Sequence, residues 1–169
     1  ISSGRDDIWV NSEYGYCLGE LNRLEESLEH YLRAKELGRN DGWIYSQIGW
    51  TYRRLGKYED ALEADFKAQE LGQNDAWVNI EIGICYKELE KYEEAIEVLL
   101  QSRRISEQEG DVTDGEDVEL VRCYIGLKDK KNAEKYLELA REGADNVADE
   151  FIDEYEEELD QLEDMIDEL

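Results

Sequence analysis

The sequence predicts an all-α fold built from repeated helical hairpins. Three observations predict it. A set of Trp, Gly and aliphatic residues recurs every 34 positions through three copies. Within each copy the apolar residues step by three and four, the period of a helix face. The 169 residues contain no proline, the residue that most strongly interrupts helices.

The period is explicit. Asp7, Asp41 and Asp75 are 34 apart, as are Trp9, Trp43 and Trp77, and Gly15, Gly49 and Gly83. Leu21, Leu55 and Leu89 keep the step, and so do Leu37, Leu71 and Ile105. A fourth copy follows at a step of 38, from Cys85 to Cys123, Tyr86 to Tyr124 and Leu99 to Leu137. The four extra residues fall in the polar stretch Glu107–Gly115, where a longer loop is expected. The units are therefore expected at 7–40, 41–74, 75–108 and 111–144, as a single array ending in a segment at 146–169.

Each unit reads as two helices. In the second, Trp43, Tyr45, Ile48, Tyr52 and Leu55 recur at helical spacing, Gly56 breaks the run, and Tyr58, Ala61, Leu62, Ala68 and Leu71 resume it. Between units, Gly38 and Gly72 stand just past a helix end, and Asp41 and Asp75 stand where a carboxylate caps the next one. Gly49 and Gly83 lie inside a helix, where glycine costs about 1 kcal/mol relative to alanine. Close approach of the partner helix is the expected return. In the first unit, Ser3-Gly4-Arg5-Asp6-Asp7 aligns with Leu37-Gly38-Arg39-Asn40-Asp41. A turn is expected there, with Ile1 ending the second helix of a preceding unit and the chain forming the C-terminal part of a longer array.

At the other end, Phe151, Tyr155, Leu159, Leu162, Ile166 and Leu169 form one apolar stripe, and the opposite face is almost wholly acidic. One helix from about Val147 to Leu169 is expected, antiparallel to the second helix of the fourth unit and capping it. It is longer than the helix it covers. The excess, near Leu162, Ile166 and Leu169, is expected to curl over the fourth unit, to fray, or to meet a second copy in a homodimer.

Charge narrows the function. Lys and Arg total 19 and Asp and Glu 45, a net charge of −26. Such a field repels polyanions, so nucleic acid and anionic membrane surfaces are not expected partners. Half of the excess sits in residues 145–169, with 13 acidic and no basic residues. No apolar run is long enough to span a bilayer.

A helix–turn–helix unit of 34 residues resembles the tetratricopeptide repeat. The residues that carry the likeness are Ile48-Gly49, Tyr52, Ala61 and Ala68, then Ile82-Gly83, Tyr86, Ala95 and Ser102. The first copy, Tyr14-Gly15, Leu18, Ser27 and Ala34, is looser; the fourth reads Leu120-Val121, Tyr124, Ala133 and Ala140. The family's Trp site holds Asn11, Tyr45 and Asn79 instead, and Gly-x-Asn-Asp replaces its inter-unit Pro. The resemblance implies a right-handed superhelical solenoid with a concave groove lined by the first helix of each unit.

Carried over by position, that groove face comprises Trp9, Ser12, Glu13 and Tyr16; Trp43, Ser46, Gln47, Trp50 and Arg53; Trp77, Ile80, Glu81, Ile84 and Lys87; then Val118, Glu119 and Arg122. All four Trp are among them. A repeated Trp also packs between neighbouring units, but Trp50 does not repeat: its equivalents are Tyr16 and Ile84. The expected ligand is a protein or peptide segment with apolar or aromatic residues, with or without basic flanks. The clamp by which chaperone-binding members grip a terminal carboxylate is absent, since its positions hold Glu13, Gln47 and Ile84, with Glu88 one turn on.

Enzymatic features are not found. His30 is the single histidine and no nucleophile, base and orienting acid share a spacing logic. No cofactor motif is present. Gly110–Asp117 is only faintly like a calcium loop, with Val112 where a ligand belongs. Cys17, Cys85 and Cys123 share one repeat position, held by Thr51 in the second copy, and are expected to be reduced, buried and metal-free. Three unpaired thiols suit a reducing cytoplasm. The expectation is a cytoplasmic, non-enzymatic interaction scaffold. The alternative is an acidic chaperone or inhibitor that masks a basic partner.

Overall fold

The computed structural model describes residues 4–110, 115–144, 147 and 151–169. Among these the chain is all-α. The helices run in order α1 (Gly4–Glu20), α2 (Leu24–Glu36), α3 (Gly42–Arg54), α4 (Tyr58–Glu70), α5 (Ala76–Glu88), α6 (Tyr92–Glu109), α7 (Gly115–Gly126), α8 (Lys130–Gly143) and α9 (Ile152–Asp167). Consecutive helices pack as hairpins: α1 on α2, α3 on α4, α5 on α6 and α7 on α8. The chain forms two compact units, Ile1–Asn74 and Asp75–Leu169.

Local chemistry accounts for the punctuation. The Asp41 carboxylate accepts the Ile44 N–H at 2.9 Å, and Asp75 accepts that of Val78 at 3.0 Å, so each caps a first helix. Within every hairpin the turn closes on the same backbone bond: Arg23, Lys57, Lys91 and Asp129 donate to the carbonyls of Leu18, Tyr52, Tyr86 and Tyr124 at 2.8 to 2.9 Å. That closure puts the preceding residue in the left-handed region, with φ 57° at Asn22, 72° at Gly56 and 58° at both Glu90 and Lys128.

The interior glycines mark the close approaches. A β-carbon on Gly15 would lie 2.7 Å from the Tyr31 ring, and one on Gly83 would lie 2.6 Å from Leu99 Cγ. Gly49 meets the buried Asp65 carboxylate in the same way. The core of the first unit is built on Tyr31, Ala34, Ile44, Ile48 and Ala64. That of the second is larger and takes in Leu99, Leu120, Val121, Leu137, Leu159 and Ile166.

The last helix caps the second unit. Arg141 pairs with Asp160 at 2.9 Å and Glu163 at 2.8 Å, while Lys130 reaches Asp167 at 3.4 Å, so α9 runs antiparallel to α8. It packs on α7 as well. Two helices therefore cover the middle of the stripe, and Leu159, Leu162 and Ile166 are buried by their own chain. Phe151, Met165 and Leu169 stay exposed.

Three expectations need correction. The helix expected from Val147 starts at Ile152, and Val147 lies in a bend outside it; residues 145, 146 and 148–150 lie outside the described residues. The loop expected at Glu107–Gly115 is shorter, because α6 continues to Glu109 before Gly110 turns left-handed at φ 74°. The rest of that loop, and of the faint calcium-like segment, lies at 111–114, outside the described residues. Lastly, no turn forms at Asp7. α1 is continuous from Gly4, and the Asn11 amide donates to the Asp7 carbonyl within it at 2.7 Å.

Candidate protein-interaction face

In the first unit α1 and α3 touch. Trp9 and Tyr16 are two turns apart on α1, and Trp43 and Trp50 are two turns apart on α3, so each pair shares a helix face. Trp9 is 57% and Tyr16 47% exposed. Trp43 and Trp50 are half-buried.

Arginines hold these indoles in place. The Arg39 guanidinium lies 4.1 Å from the Trp43 ring centre and 5.7 Å from that of Trp9. Its Nε donates to Asp41 at 3.0 Å. Such a contact contributes about 0.5–2 kcal/mol, more as it is desolvated, and the Arg39 side chain is only 16% exposed. The Tyr31 ring meets Trp43 edge-on, with centres 6.0 Å apart, and its hydroxyl donates to Gln47 at 3.1 Å. Burial pushes the Tyr31 hydroxyl pKa well up, which keeps it a donor. At the other end of α3, Arg54 stacks 5.0 Å from Trp50 while donating to Asn22 at 2.8 Å. A β-carbon on Gly19 would lie 3.0 Å from the Trp50 ring, so a side chain there would press the indole off α1.

Two residues expected to line this face do not. Ser12 and Ser46 are buried, and their hydroxyls donate to the carbonyls of Ile8 at 2.9 Å and Trp43 at 2.8 Å. They fill closed helix surface with no donor left for a ligand. Arg53 is half-buried.

The corresponding face of the second unit is ionic rather than aromatic. Trp77 is 38% exposed, and Ile80 and Ile84 are half-buried. Lys87 bridges Glu88 at 3.1 Å and Glu119 at 2.8 Å. Burial lowers its pKa, but Glu119 and Glu88 outweigh that and leave it raised. Arg122 lies 3.9 Å from Glu119 and pairs with Glu158 of α9. Glu81 and Val118, expected on this face, are buried. The net charge of residues 1–74 is −5, from nine basic and 14 acidic residues. For residues 75–169 it is −21, from ten basic and 31 acidic.

The cysteines divide. Cys85 and Cys123 are buried, and burial, aided by Glu119, pushes the Cys123 thiol up to about 12. Cys17, expected buried, is exposed. Cys123 lies near Lys87 of the preceding hairpin, and Cys17 has no preceding hairpin among the described residues. Among the described residues, no cluster of three or more His, Cys, Asp or Glu is placed to hold a metal ion. No helix among them is long and apolar enough to cross a membrane.

Arg39 and Arg54 were not legible as part of this face. One sits in a turn and the other at a helix end, outside the repeating groove positions.

The geometry defines a class, an all-α helical-repeat protein with an aromatic first-helix face. The tetratricopeptide-repeat model matches residues 44–64 and 76–109, so the chain carries tetratricopeptide repeats there. Its fold is shared by YrrB, a tetratricopeptide-repeat protein with an unusual peptide-binding site, at 20% identity and TM-score 0.67, over 92% of this chain and 82% of that one. The second tetratricopeptide domain of human RPAP3, in complex with the HSP70 peptide SGPTIEEVD, matches at 16% identity and TM-score 0.63, over 72% of this chain and 98% of that one. Pseudomonas aeruginosa pilF matches at 17% identity and TM-score 0.69, over 98% of this chain and 77% of that one. Among curated proteins none matches the sequence.

Proposed function

We propose that this protein is a non-enzymatic scaffold whose first unit binds an apolar or aromatic segment of a partner protein across Trp9, Tyr16, Trp43 and Trp50. One observation carries the reading: large aromatic side chains on the touching helices α1 and α3 stay partly exposed while Arg39 and Arg54 stack on the tryptophans among them. Pre-fixed aromatics lose little freedom on binding and supply large contact areas. Two proteins of like fold bind peptides, which supports a peptide ligand. Carboxylate-tail recognition is not part of the proposal, since Glu13, Gln47 and Ile84 stand where the clamp would be.

A second reading rests on the second unit. A net charge of −21 within 95 residues would attract a basic partner and mask it. A homodimer through the C-terminal segment would use Phe151, Met165 and Leu169, the large apolar residues exposed there. We place the protein in the cytoplasm, where an exposed Cys17 stays reduced.

Selection of peptides from a random library on the intact chain tests the proposal. Binders should carry an aromatic or branched aliphatic residue and should lose about tenfold or more in affinity on the Trp9→Ala, Trp50→Ala variant. Binders that are uniformly basic and indifferent to those substitutions would favour the charge-masking reading.

A further inference from the structure

The first unit holds another cavity, of about 570 Å³, between α2 and α4. Its lining includes Tyr45, Ile48 and Tyr52, which project from α3 on the side opposite Trp43 and Trp50. The volume falls in the range of ordinary ligand sites. Leu32 and Ala64 complete an apolar floor, and Phe66, 40% exposed, stands on the wall.

The net charge of the lining changes sign along it. At the Tyr45 end, the Lys35 ammonium lies 4.8 Å from the ring centre. Lys67 also lies at this end, held at 2.7 Å by Glu70. At the Tyr52 end stand Asp60 and Glu63, close enough for their charges to act on the Tyr52 hydroxyl. The Tyr45 end thus carries Lys35 and Lys67, the latter paired with Glu70, and the Tyr52 end carries Asp60 and Glu63, with the Lys57 ammonium 5.8 Å from the Tyr52 ring centre; the lining is net positive at one end and net negative at the other.

The repeat comparison singles out this unit. Asn11 and Asn79 occupy the position of Tyr45 in the first and third copies, and each bonds back to a carbonyl of its own helix, Asp7 at 2.7 Å and Asp75 at 2.8 Å. In the second copy a half-buried aromatic ring replaces that helix-closing amide. The exchange gives up a local hydrogen bond for an apolar surface that the hairpin leaves open.

We propose that this cavity is a second protein-binding site, on the opposite side of α3 from the tryptophans. Its occupant is a partner segment with one aromatic or branched apolar side chain, flanked by an acidic residue on one side and a basic residue on the other. The apolar side chain enters between Tyr45, Tyr52 and Phe66. The acidic flank pairs with Lys35 and Lys67, and the basic flank with Asp60 and Glu63. The opposed charges also fix the direction in which the segment lies.

Three fluorescein-labelled synthetic peptides test this on the intact chain. All carry a central Leu-Phe pair; one is flanked by Glu on one side and Lys on the other, one by Glu on both sides, one by Lys on both. The mixed peptide should bind about tenfold more tightly than either other. Tyr45→Ala with Phe66→Ala should abolish that preference, while Trp9→Ala with Trp50→Ala should leave it intact. The double charge reversal Lys35→Glu, Lys67→Glu should shift the preference to the all-Lys peptide, with helix content by circular dichroism unchanged. Equal binding of the three peptides, no binding of any up to about 1 mM, or sensitivity only to the tryptophan variant would overturn the assignment. The last outcome would leave the tryptophan face standing alone.

Discussion

Gly83 allows the Leu99 side chain to occupy the space that a β-carbon would take, with Cγ 2.6 Å from that position. Leu99 is fully buried, so it has no open side toward which to move. Replacing Gly83 by Ala gains about 1 kcal/mol of helix propensity but overpacks the α5–α6 contact at a cost of about 1–3 kcal/mol. The expected net result is destabilisation, read as a lower urea midpoint. Gly83→Ala at or above the wild-type midpoint would mean that α6 can step away from α5.

The hairpin turns invite the opposite change. Glu90 and Lys128 hold φ 58° where the second hairpin uses Gly56. A side chain in this region costs about 1–2 kcal/mol, part of which returns as the greater chain entropy of an unfolded glycine. Glu90→Gly and Lys128→Gly should each stabilise the chain by up to about 1 kcal/mol, and Gly56→Ala should destabilise it by a similar amount. Thermal unfolding of the three variants checks the signs.

Thiol chemistry should separate the cysteines. A chromogenic disulfide reagent at pH 8 should label Cys17 at once, and Cys85 and Cys123 only on unfolding. The Cys123 thiol is raised by burial to about 12, above its unfolded value of about 8.5. Its contribution to stability is therefore complete below pH 8.5 and is lost as pH rises from there toward 12. Denaturant midpoints should fall through this window, and less so in Cys123→Ala.

The cap should depend on its apolar stripe more than on its ion pairs. Ile166 is 2% exposed, and Ile166→Ala should cost about 2–5 kcal/mol. Arg141 binds two carboxylates, but its side chain is 40% exposed, so Arg141→Ala should cost less than about 1 kcal/mol and less still in high salt. Equilibrium unfolding of the two variants gives the ratio.

The helices, their order and the Asp41 and Asp75 caps were legible because they depend on local chemistry that the 34-residue step displays three times. The role of Gly49 and Gly83 was legible for the same reason: an unfavourable helix residue that recurs implies a neighbour. Exposure was not legible, because it depends on what a neighbouring hairpin covers. Cys17 is exposed where its equivalents Thr51 and Cys85 are buried, whereas Ser12 and Ser46 are both buried and bond back to their own helices. The start of α1 was misjudged because Ser3–Asp7 resembles a turn whose formation depends on more than its own residues. On the candidate face Trp9 and Trp43 were visible as a periodic signal and Trp50 as a departure from it, while Arg39 and Arg54 act through stacking across the turn and between helices, which no spacing reveals.

The central claim is that indole contacts, and not bulk charge, hold the partner. Titration of a selected binding peptide, followed by tryptophan emission at 0.1 M and 1 M NaCl, tests it most directly, since the Debye length shrinks from about 10 Å to about 3 Å between them. The account predicts a change in emission on binding and a dissociation constant that moves by less than about threefold between the two salts. Silent emission together with a loss of affinity of about a hundredfold or more at 1 M would contradict it.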